Sequence, residues 1–113
     1  MSDCIFCKIV NKKIPSQIVY EDEDVIAFKD IYPVAPVHLL VIPKQHYKDL
    51  SSTTQVDESL LGHILGVAKN LANEFEVVES GYRVVTNIGI NGGQMVEHLH
   101  FHMIGGQKLS KIG

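Results

Sequence analysis

This 113-residue sequence has no apolar run approaching the roughly 20 residues of a membrane-crossing helix, so it carries no spanning helix. Its first residues, Met1-Ser2-Asp3-Cys4, lack the basic-then-apolar order of a secretory signal, and the expected location is cytoplasmic. An excess of positive charge is missing too. Ten Lys and Arg against thirteen Asp and Glu leave a formal charge of −3, a field that repels a polyanion such as DNA. Nucleic acid and membrane are therefore not expected partners, and any phosphate must be caught by a local set of donors. Cysteine is sparse: Cys4 and Cys7 are the only two, and in a reducing compartment their spacing points to metal binding or redox chemistry before a disulfide. No internal repeat, low-complexity tract or long linker interrupts the chain. A single domain over residues 1–113 is expected, large enough to bury about two thirds of its unfolded surface.

What is present reads as short strands around one long helix. Ile5, Phe6, Ile9 and Val10 fall at helical spacing in a segment from Cys4 to Val10 that Pro15 terminates. Ile18-Val19-Tyr20 and Val25-Ile26-Ala27-Phe28 flank the acidic turn Glu21-Asp22-Glu23-Asp24 as a hairpin. Pro33 and Pro36 impose a loop, and Val37 to Ile42 forms a third strand ended by Pro43. From Gln55 to Phe75 the residues Leu60, Ile64, Val67, Ala68, Leu71 and Phe75 make one apolar stripe of a helix, opened by a Thr54/Asp57 capping box. Tyr82 to Asn87 is a fourth strand, Ile88 to Gln94 a glycine-rich loop, and His98 to Ile104 a fifth strand. This order predicts an α+β fold: a five-stranded antiparallel sheet, one long helix and a short N-terminal helix.

Three of the six histidines alternate in His98-Leu99-His100-Phe101-His102, which a strand resolves by turning all three imidazoles to one face. Leu99, Phe101 and Met103 then face the core. Imidazole titrates near neutrality and serves as base, nucleophile or metal ligand, so the strip is a candidate reactive surface. Two other readings stand beside it: a polar strand face, and a three-histidine catalytic metal site. The preceding Asn91-Gly92-Gly93-Gln94 favours phosphate chemistry, because its backbone amides could cradle an anionic oxygen. Cys4 and Cys7, separated by two residues, could share one structural zinc if His46 and His98 completed the set. The alternatives are buried thiols packing the first helix and, less well supported, a thioredoxin-like pair. His63, on the long helix, is expected to be solvated.

The run His98-Leu99-His100-Phe101-His102-Met103-Ile104 resembles the histidine-triad signature. Ile5-Phe6-Cys7-Lys8-Ile9, Ala27-Phe28-Lys29-Asp30-Ile31, Pro36 to Lys44 and Asn91 to Gln94 resemble the other marks of the Hint branch in the same order. The resemblance implies a homodimer with joined sheets that hydrolyses purine nucleoside 5'-phosphoramidates through a nucleotidyl-histidine intermediate. His100 is similar to the attacking residue, His102 to the one that bonds the phosphate, and His98 and His38 to its supporting histidines. Asp30 matches the ribose-binding acid, while Ile5, Phe6, Ile9, Phe28, Ile31 and Leu40 resemble the walls around the base. Asn87, Gly93 and Gln94 are similar to the residues that meet the phosphate oxygens. Cys4, Cys7, His46 and His98 resemble the zinc set of bacterial members.

The sequence departs from that pattern twice. Met95 stands where many Hint proteins carry a serine, and thioether sulfur has no proton to give a leaving group. The tail from Gly105 to Gly113 lacks the tryptophan and paired prolines that end many members. Two other functions share the triad: a dinucleoside polyphosphate hydrolase, and a nucleotide-sensing regulatory protein in which turnover is incidental.

Overall fold

The computed structural model describes residues 3–111. Its elements run in the order α1 (Ile5–Val10), β1 (Ile18–Glu21), β2 (Val25–Lys29), β3 (Val37–Pro43), α2 (Glu58–Glu74), β4 (Tyr82–Val85) and β5 (Phe101–Gly105). All five strands join one antiparallel sheet in the order β1-β2-β3-β5-β4. The expected α+β architecture is thus observed. None of the described helices is long and apolar enough to cross a membrane.

The two faces of the sheet bury different clusters because side chains alternate along each strand. Val25, Ala27, Leu39, Val41, Phe101 and Met103 meet Ile64, Val67, Ala68, Leu71 and Ala72 of α2. Ile26, Phe28, Leu40 and Ile42 turn the other way, onto Phe6 and Ile9 of α1. β2 from Val25 to Phe28 and β3 from Leu39 to Pro43 are buried on both faces and so apolar without interruption, whereas β5 alternates between buried and half-buried residues.

Several boundaries differ from the sequence expectation. The helix stripe begins in a 3-10 turn, Gln55–Asp57, before α2 proper; Asp57 accepts the Thr54 N–H at 2.8 Å and the Tyr47 hydroxyl at 2.8 Å. α1 begins at Ile5, with Cys4 as its cap, and ends at Val10 as expected, where Lys12 turns left-handed at φ 60°. β4 stops at Val85 rather than Asn87: the Thr86 hydroxyl donates to the His100 carbonyl at 2.7 Å in place of a ladder bond. β5 starts at Phe101 rather than His98. Residues 98–100 keep the alternation outside the ladder, and the Leu99 N–H donates to the Tyr47 carbonyl at 2.7 Å.

His63 is not simply solvated. Its Nε2 lies 2.6 Å from Asp22 Oδ2, tying α2 to the β1–β2 turn. The same oxygen accepts the Tyr20 hydroxyl at 2.6 Å, and Oδ1 accepts the N–H groups of Asp24 and Val25 at 2.8 Å.

Candidate active site

The sheet face that carries α1 also forms a cavity of about 590 Å³, walled by Ile5, Phe6, Ile9, Phe28, Ile31 and Leu40. Asp30, His38, Asn87, Gly93, Met95, His100 and His102 line the same space, so it is an apolar slot with its polar groups gathered together. Ile14, Pro15, Ser16, Lys29, Tyr32, Val34 and Val96 also line it. Sequence reasoning missed these because all but Lys29, the last residue of β2, lie on loops with no periodicity to reveal a facing surface.

His100 is buried, and its Nδ1 lies 2.7 Å from the His98 carbonyl oxygen. A carbonyl only accepts, so Nδ1 carries the proton and Nε2 keeps its lone pair. Burial lowers the His100 pKa, against the bond to the His98 carbonyl and the charge of Asp30, which raise it. The ring is neutral at physiological pH and its Nε2 lone pair is free.

A second chain of hydrogen bonds sets His102. The Val34 N–H donates to His38 Nδ1 at 3.1 Å, which leaves the His38 proton on Nε2. That proton is donated to His102 Nδ1 at 2.9 Å, so the remaining proton of His102 sits on its own Nε2. Asp30 Oδ2 is 3.4 Å from His38 Nε2, the longer of the two contacts, and Asp30 Oδ1 accepts the Tyr32 N–H at 2.8 Å. Burial, then the nearby His100 and His38, push the His102 pKa down to about 4, so this ring too is neutral at physiological pH. Sheet register explains the meeting of the pair. Leu40 lies opposite His102 and His38 opposite Ile104, which makes 38 and 102 diagonal neighbours on one face.

The loop between β4 and β5 corrects two expectations. The Gln94 side chain does not line the cavity: its amide donates to the Lys48 and Val96 carbonyls at 2.8 and 3.0 Å and accepts the Gly89 N–H at 3.0 Å. The backbone N–H groups of Gly93 and Gln94 are likewise turned inward, to the carbonyls of Ile90 and Gly89 at 3.0 Å. Closing the loop on itself uses up donors that the glycine-rich pattern had made candidates for phosphate. Asn87 shares in this closure, donating from Nδ2 to the Gly92 carbonyl at 2.7 Å. The next N–H along, that of Met95, donates to no described residue. Gly92 is needed for packing, since a Cβ there would lie 2.2 Å from the Ile88 carbonyl oxygen.

His98 departs from the row. Its ring is completely buried and points away from the cavity, toward Cys4, Cys7 and His46. A strand alternation fixes the face of a residue but not its neighbours, and residue 98 precedes the ladder. Its Nε2–H donates to the Pro43 carbonyl at 2.9 Å, which leaves Nδ1 as an acceptor. That Nδ1 lies 3.3 Å from Cys4 Sγ, 3.6 Å from Cys7 Sγ and 3.2 Å from His46 Nδ1, and Cys7 Sγ is 3.3 Å from His46 Nδ1. Donors around a tetrahedral ion with bonds of about 2.0 to 2.3 Å stand about 3.3 to 3.8 Å apart, and this set nearly matches that spacing. Burial, and then the bond to Cys4 and its proximity, push the Cys7 thiol up to about 11 when no cation is bound.

Comparison with known proteins agrees with this geometry. Residues 3–112 match the family model described as "Scavenger mRNA decapping enzyme C-term binding". A HIT-like protein of Synechococcus elongatus is 49% identical over 108 residues, 96% of this chain and 94% of its own length. One from Rickettsia prowazekii is 45% identical, over 93% of this chain and 88% of its own. Among solved structures, a HIT family hydrolase from Clostridium thermocellum superposes with a TM-score of 0.95 at 43% identity, covering 99% of this chain and 97% of that one. A histidine triad protein from Clostridium difficile gives 0.95 at 46% identity, over 100% and 98%. The signature histidines, the sheet that presents them and these likenesses along nearly the whole length agree: the chain belongs to the HIT-like family.

Proposed function

We propose that this protein hydrolyses purine nucleoside 5'-phosphoramidates through a nucleotidyl intermediate on His100. The observation that carries this reading is the ring of His100, whose Nδ1–H is committed to the His98 carbonyl and whose Nε2 lone pair is left for attack. An imidazole locked in that tautomer is a nucleophile that needs no further deprotonation. That the Clostridium thermocellum relative is a HIT family hydrolase supports the reaction class.

In this reading the base lies among Ile5, Phe6, Ile9, Phe28, Ile31 and Leu40, and the ribose hydroxyls donate to Asp30. The phosphate sits beside His100, where His102 Nε2–H and the Met95 N–H donate to its oxygens and stabilise charge through the transition state. His100 Nε2 bonds to phosphorus as the phosphorus–nitrogen bond breaks, and the amine departs with a proton. Water then attacks the nucleotidyl-histidine, releasing the monophosphate and restoring the ring. His102 meets the substrate neutral. The negative phosphate raises its proton affinity, so any proton it relays to the leaving amine becomes available only in the complex.

Cys4, Cys7, His46 and His98 would hold zinc, and the chemistry of the set supports that choice: two thiolates and two imidazoles, with no open position for water. This makes the ion structural. The working form in this proposal is a cytoplasmic homodimer.

The test replaces His100 by Ala and by Gly and follows release of AMP from an adenylate phosphoramidate. A loss of about a thousandfold or more in kcat is expected for removal of a covalent nucleophile. Turnover within twofold of the wild type would overturn the proposal. Running diadenosine polyphosphates beside the phosphoramidate distinguishes the dinucleotide hydrolase, which would favour the former.

A further inference from the structure

The cavity histidines and the Cys/His cluster are joined by two short structural paths. The first is His98 itself. Its Nδ1 faces the two sulfur atoms, while its carbonyl oxygen holds the Nδ1–H of His100 at 2.7 Å. The second path is α1. Cys4 and Cys7 bracket Phe6, whose ring stands edge-on to both His98 and His100, with centroids 5.9 and 5.1 Å away. Phe6 also walls the cavity.

Helix α1 is too short to stand alone. Six residues fall well below the roughly 12 to 15 at which an isolated helix becomes even marginal in water. What holds it is the burial of Phe6 and Ile9 together with its thiols, Cys4 capping its start by accepting the Cys7 N–H at 3.3 Å. Sulfur–hydrogen–nitrogen contacts are weak, so without an ion the cluster grips α1 and His98 loosely. Four coordinate bonds grip them tightly.

We propose that Cys4, Cys7, His46 and His98, closed on a metal ion, are positioning residues for the hydrolytic site. They fix the His98 carbonyl that keeps the proton of His100 on Nδ1, and they fix the Phe6 ring against which His100 packs. The proposal rests on the hydrolase reading above. It gives the ion a catalytic consequence at a distance, without contact with substrate. Slackening at His98 lets the His100 proton migrate to Nε2, and a ring protonated there has no lone pair to offer phosphorus.

The experiment compares zinc-loaded protein with protein stripped by a chelator and with the double variant C4S/C7S. Zinc content is measured by mass spectrometry. Long-range proton–nitrogen spectra of the histidine rings report the His100 tautomer, and phosphoramidate turnover gives kcat and KM separately. The loaded protein is expected to show one tautomer, protonated at Nδ1. Stripped protein and the double variant should show a mixture, with kcat down about tenfold or more, in the range typical of lost supporting contacts, while circular dichroism keeps its sheet and helix signal.

Should C4S/C7S fail to fold, His46→Gln decides, because His46 is exposed and does not line the cavity. It is expected to weaken zinc binding and raise the Nε2-protonated fraction of His100. An unchanged His100 spectrum on loss of zinc, or a protein that binds no zinc, overturns the inference. If the loaded protein turns over no phosphoramidate, the hydrolase reading fails by itself, and the ring spectrum still decides whether the ligands position His100.

Discussion

His38 donates its Nε2–H to His102 Nδ1 across 2.9 Å, and the Val34 N–H at its other nitrogen fixes the direction of that bond. A backbone amide can only donate, so it excludes a proton from His38 Nδ1 and settles the tautomers of two rings in series. The orientation of His102 toward the cavity therefore depends on a loop residue 68 positions away in the chain.

Replacing His38 by Ala should free the His102 ring to rotate and to exchange its proton between nitrogens. A hydrogen bond of this kind contributes about 1 kcal/mol net, so kcat should fall about fivefold while the affinity for AMP changes little. Steady-state kinetics and AMP titration check this. An equal loss in kcat and in AMP affinity would instead place His38 in direct contact with the nucleotide.

Acid should silence the enzyme by protonating His100 Nε2. Burial is the main cause that lowers the His100 pKa, so the acid limb of kcat/KM, which reports the free protein, should lie below the ordinary 6.5 of imidazole. A limb at or above 6.5 would assign it to another group.

Gly92→Ala tests the loop. The added Cβ would meet the Ile88 carbonyl oxygen at 2.2 Å, backbone against backbone, so the segment from Ile88 to Gln94 must reshape. AMP affinity is expected to fall tenfold or more, with a much smaller change in the urea midpoint, because residues 89–93 are exposed and none belongs to either buried cluster. A variant that binds AMP as the wild type does would remove the loop from the phosphate site.

Stability in acid should depend on Asp22. Burial works to raise its pKa, but the hydrogen bonds from Tyr20, His63 and the N–H groups of Asp24 and Val25 outweigh it and hold the carboxyl well below the usual carboxylate range. A depressed folded-state pKa means stability that is present above the unfolded value of about 4 and lost as pH falls below it toward the folded value. The urea midpoint of the wild type should exceed that of Asp22→Asn at pH 6, and the gap should narrow at pH 3. A constant gap would show that the charge of Asp22 plays no part.

Periodicity decided much of this protein before any tertiary contact formed. The extended alternation from Leu99 to Met103, which runs into β5, sends Leu99, Phe101 and Met103 to the α2 side and His100 and His102 to the cavity, because extended chain has period two. The stripe from Leu60 to Leu71 likewise had one use, to cover a sheet face. The four donors Cys4, Cys7, His46 and His98 could be paired by type and spacing, and they do converge.

Contacts between distant segments decided the rest. No pattern in the sequence connects His63 to Asp22, or Gln94 to the Lys48 carbonyl, since hydrogen bonds across 41 and 46 residues follow from how the layers pack. The same holds for the protons of the site. Imidazole has two nitrogens of nearly equal basicity, and the sequence supplies only the ring. Which nitrogen of His100 keeps its lone pair, and which of His102 carries its proton, is set by a carbonyl at His98 and an amide at Val34 that the folded chain brings within hydrogen-bonding distance.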